Sequence, residues 1–202
     1  MTLILASNNA GKLREFRRAA LVRGFSVEAV PGIELIPPCI EDGTTFEENA
    51  RKKALHYSSY VDGLVFADDS GICVDALGGA PCVYSARFAG PNATDIQNNR
   101  KLLEELHKLE AARVGEPPNR AAHYECVIAL AERGQILTTV EGRADGVIID
   151  EPRGARGFGY DPYFLFPPLG HTFAEISADE KFAVSHRGEA FRKLLDFLGQ
   201  NS

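Results

Sequence analysis

Two adjacent carboxylates, Asp68 and Asp69, follow the apolar run Leu64-Val65-Phe66-Ala67 and precede Ser70-Gly71. Four apolar residues in a row read as a short strand buried on both faces. Its carboxyl end is where ligands gather in an open α/β sheet. Successive strand residues point to opposite faces, so the two carboxylates are not expected to act as a dyad. One should face a site while the other supports a turn. A carboxylate in that position suits Mg²⁺ and substrate phosphates; an Asx-turn closing a strand has the same sequence.

Three further stretches carry residues able to do chemistry. Ser7-Asn8-Asn9-Ala10-Gly11-Lys12 lies between a short apolar strand and a helix expected over residues 13–22. Backbone N–H groups at such a helix start attract anions. The loop is not a Walker A motif, because its first glycine is missing and Leu13 follows the lysine; a capped βα turn with a surface lysine would look alike. Gly154-Ala155-Arg156-Gly157-Phe158-Gly159-Tyr160-Asp161-Pro162 joins three glycines to two aromatics and an acid. Aromatic faces stack on bases and Asp accepts from ring N–H groups, although a glycine turn before a core strand at residues 163–166 is the plainer reading. In Ser185-His186-Arg187-Gly188, the donor-only guanidinium of Arg187 accepts a keto oxygen and rejects an amino group. His186 is a donor, a general acid or a helix-start residue.

The elements that must position these groups are legible from patterning. Thr45-Phe46-Glu47-Glu48, Thr94-Asp95-Ile96-Gln97 and Ser177-Ala178-Asp179-Glu180 are capping boxes that open helices. The first helix has Phe46, Ala50, Ala54 and Tyr57 as its apolar stripe, with Asn49 and Lys53 four apart on one flank. Lys53 either snorkels to solvent or points towards Asp69. Strands are expected at residues 26–30 and 72–77, and residues 123–131 and 135–141 read as a hairpin around Glu132-Arg133-Gly134. The polar segment 110–119 is a lobe divider or an exposed connection. The pattern βαβαβ, then an antiparallel pair and a closing helix, is an α/β fold with a mixed sheet.

Composition narrows the partners. The 202 residues hold 22 Lys+Arg against 28 Asp+Glu, a formal charge of −6, which argues against a broad nucleic-acid surface. No apolar run is long enough to span a membrane, and residues 1–6 are too short for a signal core. Cys39, Cys73, Cys82 and Cys126 have neither C-x-x-C spacing nor paired histidines nearby. Reduced thiols in a cytoplasm are expected ahead of disulfides or zinc.

Six separated motifs agree in order: Ser7 to Lys12, Thr45-Phe46-Glu47-Glu48-Asn49-Ala50, Asp68-Asp69-Ser70-Gly71, Tyr84-Ser85-Ala86-Arg87, Gly157 to Pro162 and Ser185 to Gly188. Together they resemble the Ham1 (RdgB) family of house-cleaning nucleoside triphosphate pyrophosphatases, also called inosine triphosphatases. The resemblance implies one elongated, two-lobed inosine-triphosphatase-like domain over residues 1–202, with a mixed central sheet flanked by helices and the nucleotide cleft between the lobes. It implies a cytoplasmic, Mg²⁺-dependent homodimer that hydrolyses ITP, dITP and XTP to the monophosphate and pyrophosphate, without nucleic-acid or membrane partners. Carried over by position, Ser7, Asn8, Asn9, Ala10, Gly11 and Lys12 would hold the triphosphate with Lys53. Asp69 would be proton acceptor and metal ligand, Glu41 a second metal carboxylate, and Ser70 a substrate contact. Phe158, Gly159, Tyr160, Asp161, Lys181, His186 and Arg187 would form the base pocket. Cys82 departs from the pattern, standing where the family turn has glycine. Two rivals stay open: a phosphatase with an aspartyl nucleophile, which would want Asp-x-Asp where Ser7-Asn8-Asn9 stands, and a nucleotide-binding regulator without turnover.

Overall fold

The structure is a computed structural model and describes residues 1–112, 115 and 119–200. Seven strands form one mixed sheet in the order β2-β1-β3-β4-β5-β6-β7. Strand β1 (Thr2–Leu5) is parallel to both β2 (Ser26–Ala29) and β3 (Leu64–Val74). Helix α1 (Ala10–Val22) connects β1 to β2, and α2 (Phe46–Ser58) connects β2 to β3. Helix α3 (Asp95–Ala112) leads to β4 (Ala121–Glu132) and β5 (Gln135–Ile148), which turn through Arg133 and Gly134, both at positive φ. That is the handedness a two-residue hairpin needs. Strands β6 (Phe164–Phe166) and β7 (His171–Thr172) add on antiparallel, and α4 (Ala178–Val184) and α5 (His186–Gln200) close the chain.

The chain forms two compact units. Unit 1 comprises Met1–Ser70, Cys126–Gly142 and Ser185–Ser202; unit 2 comprises Gly71–Glu125 and Arg143–Val184. The core of unit 1 is built on Phe16, Phe66 and Phe191, with ring centroids 4.8 to 5.7 Å apart. In unit 2, Tyr124, Phe164 and Phe173 pack with Ile72, Leu102 and Leu106. Unit boundaries fall inside β3, β4 and β5 and between α4 and α5, not in the polar segment 110–119. Helix α3 takes that segment as far as Ala112, and its Glu116-Pro117-Pro118 lies outside the described residues.

The largest difference from the sequence expectation is β3. Asp68 to Gly71 are not a turn between two strands; they lie inside one strand of 11 residues, which ends at Val74 before a 3₁₀ turn, Asp75–Leu77. The carboxylates persist within a sheet because each meets cations, described below. Gly71 persists because the backbone approaches closely there. A Cβ at Gly71 would come within 2.3 Å of Ser85 Oγ and 2.5 Å of the Cys82 carbonyl oxygen, and Ser85 Oγ accepts from the Ile72 amide at 2.9 Å. Cys82 has φ 50°, the left-handed region that favours glycine.

The capping boxes are present. Thr94 Oγ1 accepts from the Gln97 amide and Gln97 Oε1 from the Thr94 amide; Ser177 and Glu180 repeat the exchange. At α2, Thr45 Oγ1 accepts from the Glu48 amide, while the Glu48 carboxylate reaches one residue further back, to the Thr44 amide at 2.6 Å. A Gly71→Ala variant should lose about 1–3 kcal/mol of stability through this overpacking, read as a lower denaturant midpoint at unchanged slope.

Candidate active site

The polar centre of unit 1 is Asp68. Its side chain is fully buried, and Oδ2 lies 2.8 Å from Lys12 Nζ of α1 and 3.6 Å from Arg187 Nε of α5. Burial alone would push this carboxyl up, but Lys12, Arg187 and Lys53 outweigh it and hold the group well below the usual carboxylate range. Arg187 is equally buried. It donates to Glu15 at 2.9 Å and to Ser70 Oγ at 3.1 Å. Burial opposes its charge, yet Glu15 and Asp68 raise its affinity for the proton. Asp68 Oδ1 is buried with no hydrogen-bond partner among the described residues.

Asp69 points to the other face, as period-2 geometry requires. Its Oδ2 accepts from Asn49 Nδ2 at 3.1 Å and its Oδ1 lies 3.3 Å from Lys53 Nζ. The same ammonium reaches Glu41 Oε2 and the Asp68 carbonyl oxygen, each at 2.8 Å. Asn49 and Lys53 sit one turn apart on α2, so one helix face supplies both contacts. Asn49 Oδ1 also accepts from the Gly43 amide at 2.8 Å, tying down the loop that carries Glu41. Desolvation is the main cause of a raised Asp69 pKa and the Glu41 charge adds to it, against the opposing pull of Lys53 and Asn49. The result is a carboxylate with more base strength than one in water. Glu41 and Asp69 converge on a single cation and offer hard oxygen donors, which fits a Mg²⁺-class ion.

The loop after β1 is shorter than expected, because α1 begins at Ala10. Asn9 is its N-cap, with Oδ1 accepting from the Gly11 and Lys12 amides at 2.8 and 3.1 Å, and Ser7 Oγ accepts from the Asn9 amide. Two of the amides expected to cradle an anion are thus capped by the chain itself. Asn8 and Ala10 are exposed beside them.

In unit 2, Asp161 Oδ2 accepts from Lys181 Nζ at 2.5 Å and from the Phe158 amide at 2.9 Å. Both side chains of the ion pair are buried. The Lys181 ammonium lies over the Phe158 ring, 4.9 Å from its centroid, and Phe158 itself is 37% exposed. A Cβ at Gly157 (φ 76°) would strike Asp161 Oδ2 at 2.0 Å, so this loop requires glycine there. Asp95 and Asn99 of α3 fix Gly159 through its amide and carbonyl at 2.7 and 2.9 Å. Tyr160 is buried and donates to the Ser85 carbonyl at 2.8 Å, a packing role rather than an open base contact. A cavity of about 750 Å³ opens beside the loop, lined by Asn99, Arg100, Phe158 and Gly159 among others, but not by Asp161 or Lys181.

The expected site residues therefore divide. Ser7 to Lys12, Glu41, Lys53, Asp69, Ser70, His186 and Arg187 belong to unit 1, and Phe158 to Asp161 and Lys181 to unit 2. Lys12 and Arg187, read as ligand contacts, are also the counter-ions of Asp68. Sequence reasoning left out Glu15 and gave Asn49 no role. The signals were a Glu one helical turn after Lys12 and an amide one turn before Lys53.

The sequence profile of the Ham1 family matches residues 3–197. The chain belongs to the Ham1 family. It is 46% identical over 198 residues to a protein of Bacillus licheniformis named dITP/XTP pyrophosphatase, covering 98% of each chain. An Exiguobacterium protein of the same name is 48% identical over 194 residues, covering 96% of this chain and 95% of its own. Among solved structures, the HAM1 protein from Coxiella burnetii superposes with a TM-score of 0.87 at 38% identity, covering 99% of both chains. The Staphylococcus aureus Ham1 protein gives 0.85 at 36% identity and covers 100% of both.

Replacing Lys12 by Met should destabilise the fold by about 2–4 kcal/mol, because it leaves Asp68 with fewer buried counter-charges. The native Asp68 pKa is depressed, so its contribution is present above the ordinary carboxylate pKa of about 4 and is lost as pH falls towards the folded value. In Lys12→Met the carboxylate protonates more readily, and the deficit measured by urea unfolding should shrink below about pH 4.

Proposed function

We propose that this chain hydrolyses non-standard purine nucleoside triphosphates, ITP, dITP and XTP, to the nucleoside monophosphate and pyrophosphate, and so cleanses the nucleotide pool. The observation that carries the reading is the match, over 98% of both chains, to a relative named for this activity. The residue geometry supplies a consistent route. Asp69, raised in base strength and fixed by Asn49, takes a proton from a water that attacks the α-phosphorus. The water oxygen bonds to that phosphorus, the bridging P–O bond breaks, and pyrophosphate leaves. Lys53 and the start of α1 offer positive charge to the phosphates. Glu41 and Asp69 would hold Mg²⁺, which when bound supplies Lewis acidity towards a phosphoryl oxygen and a more acidic water.

Base selection rests on Phe158 as a stacking face and on donors from Lys181 and Arg187, with His186 beside Arg187. A 6-keto base satisfies such donors, whereas the 6-amino group of adenine leaves them unpaired. The same reading takes the protein as a cytoplasmic homodimer. Family membership supports it.

The test is product analysis with ITP, XTP, GTP and ATP, with Mg²⁺ and with EDTA. Metal-dependent pyrophosphate from ITP and XTP is expected, lowered at least about a hundredfold in Asp69→Asn. Orthophosphate as the product, or full activity in the variant, would overturn it. Lys181→Met should cut the ITP-to-ATP ratio of kcat/KM by about tenfold or more. The acid limb of kcat/KM should lie above the ordinary carboxylate pKa and move to lower pH in Glu41→Gln, because a like charge is removed from beside Asp69.

A further inference from the structure

Alternation along β4 places Ala122, Tyr124 and Cys126 in the core and sends His123 and Glu125 together to the opposite face. On the neighbouring strand β3, Cys73 meets them. One ligand atom each from Cys73, His123 and Glu125 lie within 4.8 Å of one another. None of these three has any part in the chemistry proposed for Asp69.

Three features separate this cluster from a thiol that is merely packed. First, both histidine nitrogens lack a hydrogen-bond partner among the described residues: Nδ1 is buried with none, and Nε2 stands 4.0 Å from Glu125 Oε2, beyond hydrogen-bond reach. A buried ring nitrogen normally has such a partner. Second, a further sulfur is at hand. Cys73 forms a β-bridge with Pro81, which brings the next residue, Cys82, to the edge of the cluster. Cys82 is also a non-glycine residue held at positive φ, the kind of local strain that collects at functional positions. Third, the surrounding charge tolerates a cation. Arg143 is the basic group facing the cluster, and it is bound to Asp145 at 2.8 Å, while Asp75 adds negative charge.

We propose that Cys73, His123 and Glu125 form a second metal site, with Cys82 as fourth ligand, for a borderline transition-metal ion of the zinc class. Sulfur with imidazole and carboxylate is a zinc donor set, whereas Mg²⁺ and Ca²⁺ take oxygen. Tetrahedral zinc would bring the Cys73, His123 and Glu125 donors to about 3.3–3.7 Å from one another, a closure of at most about 1.5 Å. Binding exchanges the thiol protons of Cys73 and Cys82 for the ion and releases them to solvent; His123 binds neutral, and no electrons move. The bound ion would pin the turn around Pro81 to β3 and β4.

Cobalt(II) titration of the metal-free full-length protein under a phosphine reductant tests this. One equivalent should bind with thiolate-to-metal charge-transfer absorption, be displaced by zinc and survive a large excess of Mg²⁺. The absorption should weaken in Cys73→Ser and in Cys82→Gly, and vanish when both are replaced. In Glu125→Gln, where a half-exposed ligand changes with little risk to the fold, affinity should fall by more than the roughly tenfold loss of an outer-shell partner. Pyrophosphate release with Mg²⁺ should be unchanged in all three single variants. No thiolate band, an undiminished band in Cys73→Ser, or a Cys73–Cys82 disulfide in place of metal under these conditions would overturn the site. An undiminished band in Cys82→Gly would overturn the fourth ligand.

Discussion

A carboxylate that is fully desolvated inside a central strand must be neutralised, and Asp68 imposes that demand on unit 1. Burying an ion unpaired costs far more than a fold can tolerate. Three helices answer it, α1 with Lys12, α2 with Lys53 and α5 with Arg187. The cations constrain one another in turn. Arg187 carries Glu15 and Ser70, and Lys53 carries Glu41 and Asp69. The polar network and the Phe16, Phe66 and Phe191 core thus draw on the same elements, and the orientation of the helices follows from both.

The carboxylate proposed as the base benefits from this arrangement without sharing it. Asp69 is adjacent in sequence but on the opposite face, where one helix turn supplies an amide and an ammonium. One carboxylate of the pair is held strongly ionised and structural, while the other is left nearer to protonation. Two environments on two faces of one strand separate the roles more cleanly than residue type could, since both are aspartates. Unit 2 uses the same device at lower charge: Asp161 accepts from Lys181 and from the backbone, and so fixes the glycine loop that presents Phe158.

Most of this was legible where it depends on local pattern. Two of the capping boxes, the Thr45 cap of α2, the α2 stripe and the hairpin at Arg133-Gly134 are set by side chains within a few residues of one another, and each is found where expected. Features that depend on partners distant in sequence were not. Asp68-Asp69-Ser70-Gly71 reads as a turn because two charges and a glycine are poor strand formers. It becomes strand because the cations come from residues 12, 53 and 187 and the close contact from Ser85. The loop at Ser7 to Lys12 was recognised by type, but the Asn9 cap, which occupies two amides of the supposed cradle, is a matter of rotamer. The cysteines looked unrelated to any histidine because His123 lies 50 residues after Cys73 in the chain; only the pairing of β3 with β4 brings them together.

The opposed faces of Asp68 and Asp69 also govern how this sequence can change by inheritance. Point substitutions along β3 can be absorbed one at a time, because each alters a single contact. Loss or gain of one codon between Leu64 and Asp69 would rotate every following side chain of the strand to the other face. It would exchange the two carboxylates between their helices and abolish both environments at once. Natural relatives should therefore vary in composition along this stretch while keeping its length, and gaps should gather in the connections instead.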